Sequence, residues 1–255
     1  ITVYEFTDTE GKRIRYKNVD YVYDNLGHLR YVLPPRLQLK ADGFYEVTPG
    51  SDLYNLAFVY TYDKRGNCLT KKLPGIAPIY YVYDRADRLI LVQTPNQRPH
   101  AEWSFTKYDI YSRPVLSGTV ILQNKNHSQL QDEYCNILVR EYFVGVSQAN
   151  CWGYSNETLP TTNLTVLKAD YYDDYGFKAL TSFGSILDYQ VRSGFLSTHY
   201  PILTGAHTGS AVKTFDNSIT TLLYTAYYYD IKGHLIQQRG NNLIGGYDHF
   251  YTSYD

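Results

Sequence analysis

The chain has 255 residues, with 24 Lys+Arg against 25 Asp+Glu and a formal net charge of −1. That balance argues against nucleic acid as the main partner, and no run of eighteen apolar residues offers a membrane-spanning helix. The outstanding bias is tyrosine, 29 in all, a residue that packs well across strands while its hydroxyl stays wet.

In chain order, Ile1–Arg15 predicts two strands around a polar turn at Thr7–Gly11, anchored by Val3, Phe6 and Ile14. Tyr21-Val22-Tyr23-Asp24-Asn25-Leu26-Gly27-His28-Leu29 predicts a hairpin. An aromatic, strand-prone run ends in Asp-x-x-Gly and resumes with an apolar residue. The aspartate carboxylate can accept a backbone N–H two residues on. The glycine takes positive φ without a Cβ penalty, so a type I turn closed by a G1 bulge is expected. Pro34-Pro35 stops the strand.

An insert follows at about 36–57, where Ser51-Asp52 predicts a short capped helix with Asp52 as the acceptor. Tyr60–Lys72 and Tyr80–Gln93 predict consecutive hairpins, turning at Asp63/Gly66 and at Asp84 with Asp87 in the glycine position. Trp103–Val120 is a weaker fourth copy, with Asp109 followed by Ser112. A second insert, at about 121–167, reads as loop over Gln123–Asp132, strand over Ile137–Val144 and polar loop over Gln148–Asn163. Asn126, Asn156 and Asn163 each begin an N-glycosylation pattern, which predicts exposed loop. Type returns at Asp173 and Gly176. A long link, Leu180–Asp216, includes a small-residue loop at Thr204–Ser210 and leads to the fullest copy, Ala226–Gln237, with Asp230 and Gly233. Tyr251–Asp255 reads as a copy cut off mid-turn, and with a start in mid-strand it suggests a window from a longer protein.

The turn aspartates thus fall at 24, 63, 84, 109, 173, 230 and 255, and the shortest intervals are 21 (63 to 84) and 25 (84 to 109 and 230 to 255). A repeat of that length marks a solenoid, propeller or array, in which each unit buries its apolar face only on its neighbours. The expected fold is all-β: antiparallel β-hairpin repeats in a spiral sheet, one region over 1–255 with the two inserts.

The recurring pattern Y-x-Y-D-x-x-G-x-L at Tyr21–Leu29, and in the main at Tyr60–Leu69, Tyr81–Leu89 and Tyr227–Leu235, resembles that of the RHS or YD-repeat proteins. Leu33-Pro34-Pro35, Lys72–Gly75 and Trp103 ahead of Tyr108-Asp109 are similar to the versions in Bacteroidetes-type bacteria. The resemblance implies a section of a hollow shell in a secreted or cell-surface protein, enclosing a toxin or presenting a surface. Its partners would be other repeats and the C-terminal segment of the same polypeptide.

Chemistry has little else to stand on. Paired carboxylates can cleave glycosides, but these aspartates recur once per unit in a turn motif, so turn closure is the simpler role. No G-x-S-x-G elbow, H-E-x-x-H, P-loop or dinucleotide fingerprint occurs, and the family's self-cleaving Asp-Pro-x-Gly type stretch has no counterpart. Cys68, Cys135 and Cys151 fit no metal spacing. Cys135 and Cys151 could pair in an oxidising compartment, but buried free thiols fit better. No enzyme activity, metal or cofactor is expected. The alternative is carbohydrate binding or adhesion through exposed aromatic residues, with Trp152 and Trp103 as the candidates to stack on sugar rings.

Overall fold

The computed structural model describes residues 19–34, 50–146, 151–180, 184–201, 203–214 and 222–254, and the backbone alone of 3–7, 13–17 and 52. Strands β1 (Val3–Thr7) and β2 (Arg13–Lys17) pair as an antiparallel ribbon. Turn residues 8–11, the side chains of Val3, Phe6 and Ile14, most of the first insert and Asp255 lie outside the described residues. The strands that follow are β3 (Asp20–Tyr23), β4 (Leu29–Leu33), β5 (Phe58–Tyr62), β6 (Cys68–Lys72), β7 (Ile79–Tyr83) and β8 (Leu89–Gln93). After them come β9 (Glu102–Tyr108), β10 (Pro114–Ile121), β11 (Leu164–Asp173), β12 (Leu203–Lys213), β13 (Leu222–Tyr229), β14 (Leu235–Asn241) and β15 (Tyr247–Tyr251). From β3 to β15 they are hydrogen-bonded in chain order, thirteen strands in one sheet. The protein is all-β with antiparallel registers, and contacts gather it into two compact units, Ile1–Trp103 with Gln123–Asn136 and Ser104–Leu122 with Ile137–Asp255.

In the first unit, helix α1 (Asp52–Leu56) buries Leu53 with Leu33 and Ala57. Its cap is Ser51, not the expected Asp52. Ser51 has the extended backbone a cap requires (φ −67°, ψ 158°), and its Oγ accepts the Tyr54 N–H at 3.2 Å. The β6–β7 register is short, Thr70 opposite Tyr80 and Lys71 opposite Ile79. Beyond it, helix α2 (His127–Tyr134) supplies the hydrogen bonds. The Gln131 side chain accepts the Tyr83 N–H at 2.9 Å and donates to its carbonyl, and His127 Nε2 lies 2.8 Å from the Tyr81 carbonyl oxygen. A carbonyl only accepts, so Nε2 carries the proton, and burial pushes the His127 pKa down and keeps the ring neutral.

This helix replaces the loop expected over Gln123–Asp132. The run is polar, but Asn126 and Gln129 form a reciprocal capping box and Leu130 and Tyr134, four apart, are buried.

The core of the second unit is an aromatic stack. Tyr154 lies on Tyr171 at 5.7 Å between ring centroids, Tyr171 on Phe177 at 4.5 Å, and Phe143 meets Tyr154 and Tyr171 edge-on. Thr204–Ser210, expected as loop, belongs to the eleven-residue strand β12. Small residues there serve packing, since a Cβ on Gly209 would stand 2.1 Å from the Phe177 ring. Ile137–Val144, expected as strand, is irregular, with an isolated bridge between Phe143 and Tyr154.

Candidate functional site

Five hairpins close on the same device. At Asp24, Asp63, Asp84, Asp109 and Asp230, one carboxylate oxygen accepts the backbone N–H groups of the second and fourth residues onward, all at 2.8–3.0 Å. The third residue onward takes left-handed φ: Gly27 (85°), Gly66 (87°) and Gly233 (80°), but also Asp87 (59°) and Ser112 (64°). The weak fourth copy therefore turns like the others. The second carboxylate oxygen receives the side chain of the fourth residue onward: His28 at 3.2 Å, Asn67 at 3.0 Å, Arg88 Nε at 2.9 Å, Arg113 Nε at 2.6 Å and His234 at 3.0 Å. This explains why that position reads polar in every copy.

At three places the tyrosine before an aspartate completes the preceding unit. Tyr62 stacks on His28 at 4.9 Å and donates its hydroxyl to the Leu29 carbonyl at 2.9 Å. Tyr172 covers the Arg113 guanidinium at 4.3 Å and donates to the Pro114 carbonyl, and Tyr254 covers His234 at 4.6 Å and donates to the Leu235 carbonyl. In each case the ring lies on the residue that locks the earlier aspartate, and the hydroxyl caps the carbonyl of the next residue. Tyrosine alone among the aromatics offers both a flat apolar face and a terminal donor of that reach.

Asp173 and Gly176 depart from the expected turn. Asp173 ends β11 with φ 72°, accepts the Gly205 N–H at 2.6 Å and forms a two-pronged pair with Arg113 at 3.0 and 2.7 Å. Gly176 opens a 3-10 turn (Gly176–Leu180), with its N–H on Asp174. The chain leaves β11 through register shifts on both sides of Tyr172 and has no tight return to make. Conversely, Asn242-Leu243-Ile244-Gly245 is a turn of the same kind outside the tyrosine-aspartate pattern. Asn242 Oδ1 accepts the Gly246 N–H at 2.7 Å and Gly245 has φ 80°, so asparagine stands in for aspartate.

Trp103 cannot stack on a ligand. It is 2% exposed and packs over His127. Trp152 is half-buried with a left-handed backbone. All three cysteines are free thiols, Cys151 buried and the other two half-buried. Among the described residues no group of three His, Cys, Asp or Glu side chains is placed to hold a metal ion.

The most buried charges are Lys107 on β9 and Glu141 in the second insert, 2.8 Å apart and both wholly out of water. The ammonium also donates to Asn156 Oδ1 and the Thr158 carbonyl, both at 2.7 Å, which uses all three of its protons. Glu141 further accepts from Ser155 Oγ, the Glu157 N–H, and the N–H and hydroxyl of Thr158. Burial works to raise the Glu141 pKa, but Lys107 and these hydroxyls outweigh it and hold the carboxyl below its usual range. Glu141, Asn156 and Thr158 are thereby pinned to β9.

Other carboxylates are depressed as well: Asp24 by the His28 N–H, Asp173 by Arg113, and Asp230 by His234 and the turn amides against its burial. A carboxylate whose pKa is lower folded than unfolded stabilises the fold above the unfolded value, about 4, and loses that contribution as pH falls through the folded one. Urea midpoints are therefore expected to stay level near neutral pH and to drop below about pH 4. Asp230→Asn should make that drop shallower.

Against the fourth turn lies a cleft of about 670 Å³, lined by Ile110, Tyr111, Arg113, Arg140, Tyr142 and Glu157 among others. Tyr111 and Tyr142 stand at its mouth, 73% and 53% exposed. The Tyr111 ring is braced by Arg113 at 5.0 Å and the Tyr142 hydroxyl donates to Glu157.

No protein-family model and no curated protein matches the chain. Among solved structures it is similar to the crystal structure of TcdB2-TccC3-TEV, at 12% identity and a TM-score of 0.43, covering 98% of this chain and 11% of that one. It is likewise similar to TcdB2-TccC3 without its hypervariable C-terminal region, at 12% identity and a TM-score of 0.42, covering 97% of this chain and 11% of that one. The chain thus spans about a tenth of the length of those chains. Likenesses of that strength carry no weight on function.

Proposed function

We propose that the chain is a structural section of an RHS-type, YD-repeat shell, part of a secreted or cell-surface bacterial protein that encloses or presents another segment of its own polypeptide. The observation that carries this reading is the interlock between units. Three of the tyrosines that precede an aspartate are half of a contact whose other half belongs to the preceding unit: Tyr62 on His28 and Leu29, Tyr172 on Arg113 and Pro114, and Tyr254 on His234 and Leu235. An array built this way gains its stability from neighbours and extends by adding copies. At the five regular turns each carboxylate is occupied by two backbone amides and a side chain, which leaves it to hold a turn rather than to do chemistry.

The test is electron microscopy and limited proteolysis of the polypeptide that carries this chain. A closed particle is expected, with the segment downstream of the repeats protected until the wall is opened by denaturant. An open sheet, with that segment cut as fast as a free peptide, would refute the reading.

A further inference from the structure

We propose that Lys107 and Asn156 are a site of self-modification, where the lysine nitrogen displaces the asparagine side-chain nitrogen to form an isopeptide bond, with Glu141 carrying the proton. The proposal goes beyond the scaffold role and does not depend on it. Lys107 Nζ lies 2.7 Å from Asn156 Oδ1 and 2.8 Å from Glu141 Oε1, and the side chains of Lys107 and Glu141 are both shut off from water. Asn156 Nδ2 donates to the Thr161 carbonyl at 2.8 Å. A carbonyl only accepts, so the amide meets Thr161 with its nitrogen and turns its oxygen to the lysine. The amine and the carbonyl it would attack are thus in contact, and each is held there by other bonds. Fixed contact of this kind is what lets an acyl transfer run within one chain.

An ammonium has no lone pair, so it must lose a proton before it can attack. Burial pushes the Lys107 pKa down, and the Glu141 carboxylate is the acceptor in reach. Lys107 gives one proton to Glu141, and the freed amine forms a bond to Asn156 Cγ as the carbonyl electron pair moves onto Oδ1. That pair returns as the Cγ–Nδ2 bond breaks, and a second proton passes from Nζ to Nδ2, which leaves as ammonia. No oxidant, reductant or further reactant is consumed. Glu141 ends protonated beside a neutral amide, so a buried ion pair is exchanged for uncharged groups, which a dry site favours. Asn156 is half-buried, which gives the ammonia a way out. A glutamate held below its usual range is a weak base, so the reaction is slow. It has to occur only once in each molecule.

Lys125, Lys168 and Lys178 also meet carboxylates, on Glu133, Asp170 and Asp188, but their side chains keep contact with water. Lys107 is the dry member of that group. The bond would tie positions 49 residues apart and fasten the second insert to β9.

The experiment is mass spectrometry of the protein, denatured after long incubation at neutral pH, followed by a tryptic map. The intact mass is expected to fall short of the sequence mass by one ammonia. Trypsin should fail to cut at Lys107 and release a branched peptide whose fragment ions place the junction on Asn156. Asn156→Ala, which keeps the ion pair but cannot link, should show its full sequence mass and an ordinary cut at Lys107. Glu141→Gln keeps the shape and removes the base, and it should stay unlinked. The wild-type map decides the proposal even where that variant does not fold. Four results would each overturn it: a full wild-type mass with Lys107 cut normally, ammonia lost within the Asn156 peptide without Lys107, water lost in a link from Lys107 to Glu141, or a link that forms in Glu141→Gln.

Discussion

Lys107→Met is expected to cost about 3–5 kcal/mol of stability, among the largest single losses available in the chain. The pair it breaks is fully buried, so Glu141 would be left as a carboxylate with no cation and no water. Bringing those two charges out of water is expensive, and their attraction offsets the cost only while both are present. Glu141→Gln should do comparable damage from the other side, stranding the ammonium on Asn156 and Thr158. Lys107→Met combined with Glu141→Gln should lose clearly less than the two single losses added together. Urea unfolding of the four proteins measures the coupling directly. Near-additive losses would show that the two charges act separately. Because the pair ties Glu141, Asn156 and Thr158 to β9, the single variants should also become sensitive to protease near those residues.

The second large effect is expected at the third hairpin. Asp84→Ala removes the acceptor for the Ala86 and Arg88 N–H groups and the carboxylate that holds Arg88 through both Nε and Nη2. Asp84 is 1% exposed, so water cannot fill in, and a loss of about 3 kcal/mol or more is expected from unfolding curves. The same substitution at Asp24, where the carboxylate faces solvent, should cost far less. That contrast tests the physics of the motif, since the two backbone hydrogen bonds are the same while burial and the side-chain partner, Arg88 against His28, differ. Equal losses at both positions would mean that the shared turn hydrogen bonds, not desolvation or the arginine, set the energy. Asp84→Asn should fall between, because an amide oxygen can still accept the two backbone N–H groups but no longer carries the charge that Arg88 needs.

What was legible in the sequence is what five consecutive residues decide. Asp24 to His28, Asp63 to Asn67, Asp84 to Arg88, Asp109 to Arg113 and Asp230 to His234 each contain their own acceptor, donors and left-handed residue, so the turn and its hairpin follow from local chemistry. Two further local signals lie outside that pattern: the Asn126/Gln129 capping box that starts α2, and Asn242 doing the work of aspartate before Gly245.

The remainder was settled by partners distant in the chain. Lys107 and Glu141 are 34 residues apart, and neither announces the other. Gly209 looks like loop until Phe177 lies across it, and Trp103 looks available until His127 covers it. Asp173 has the tyrosine and the later glycine of a repeat turn, yet Arg113, 60 residues earlier, holds it in another role. By itself the sequence determined that the chain bends back on itself repeatedly into antiparallel β-structure, because side chain to backbone hydrogen bonds over four residues need no outside help. Which residues are buried, which charges meet, and where two tyrosines stand open beside a cleft were decided by tertiary structure, because those energies depend on groups that only folding brings together.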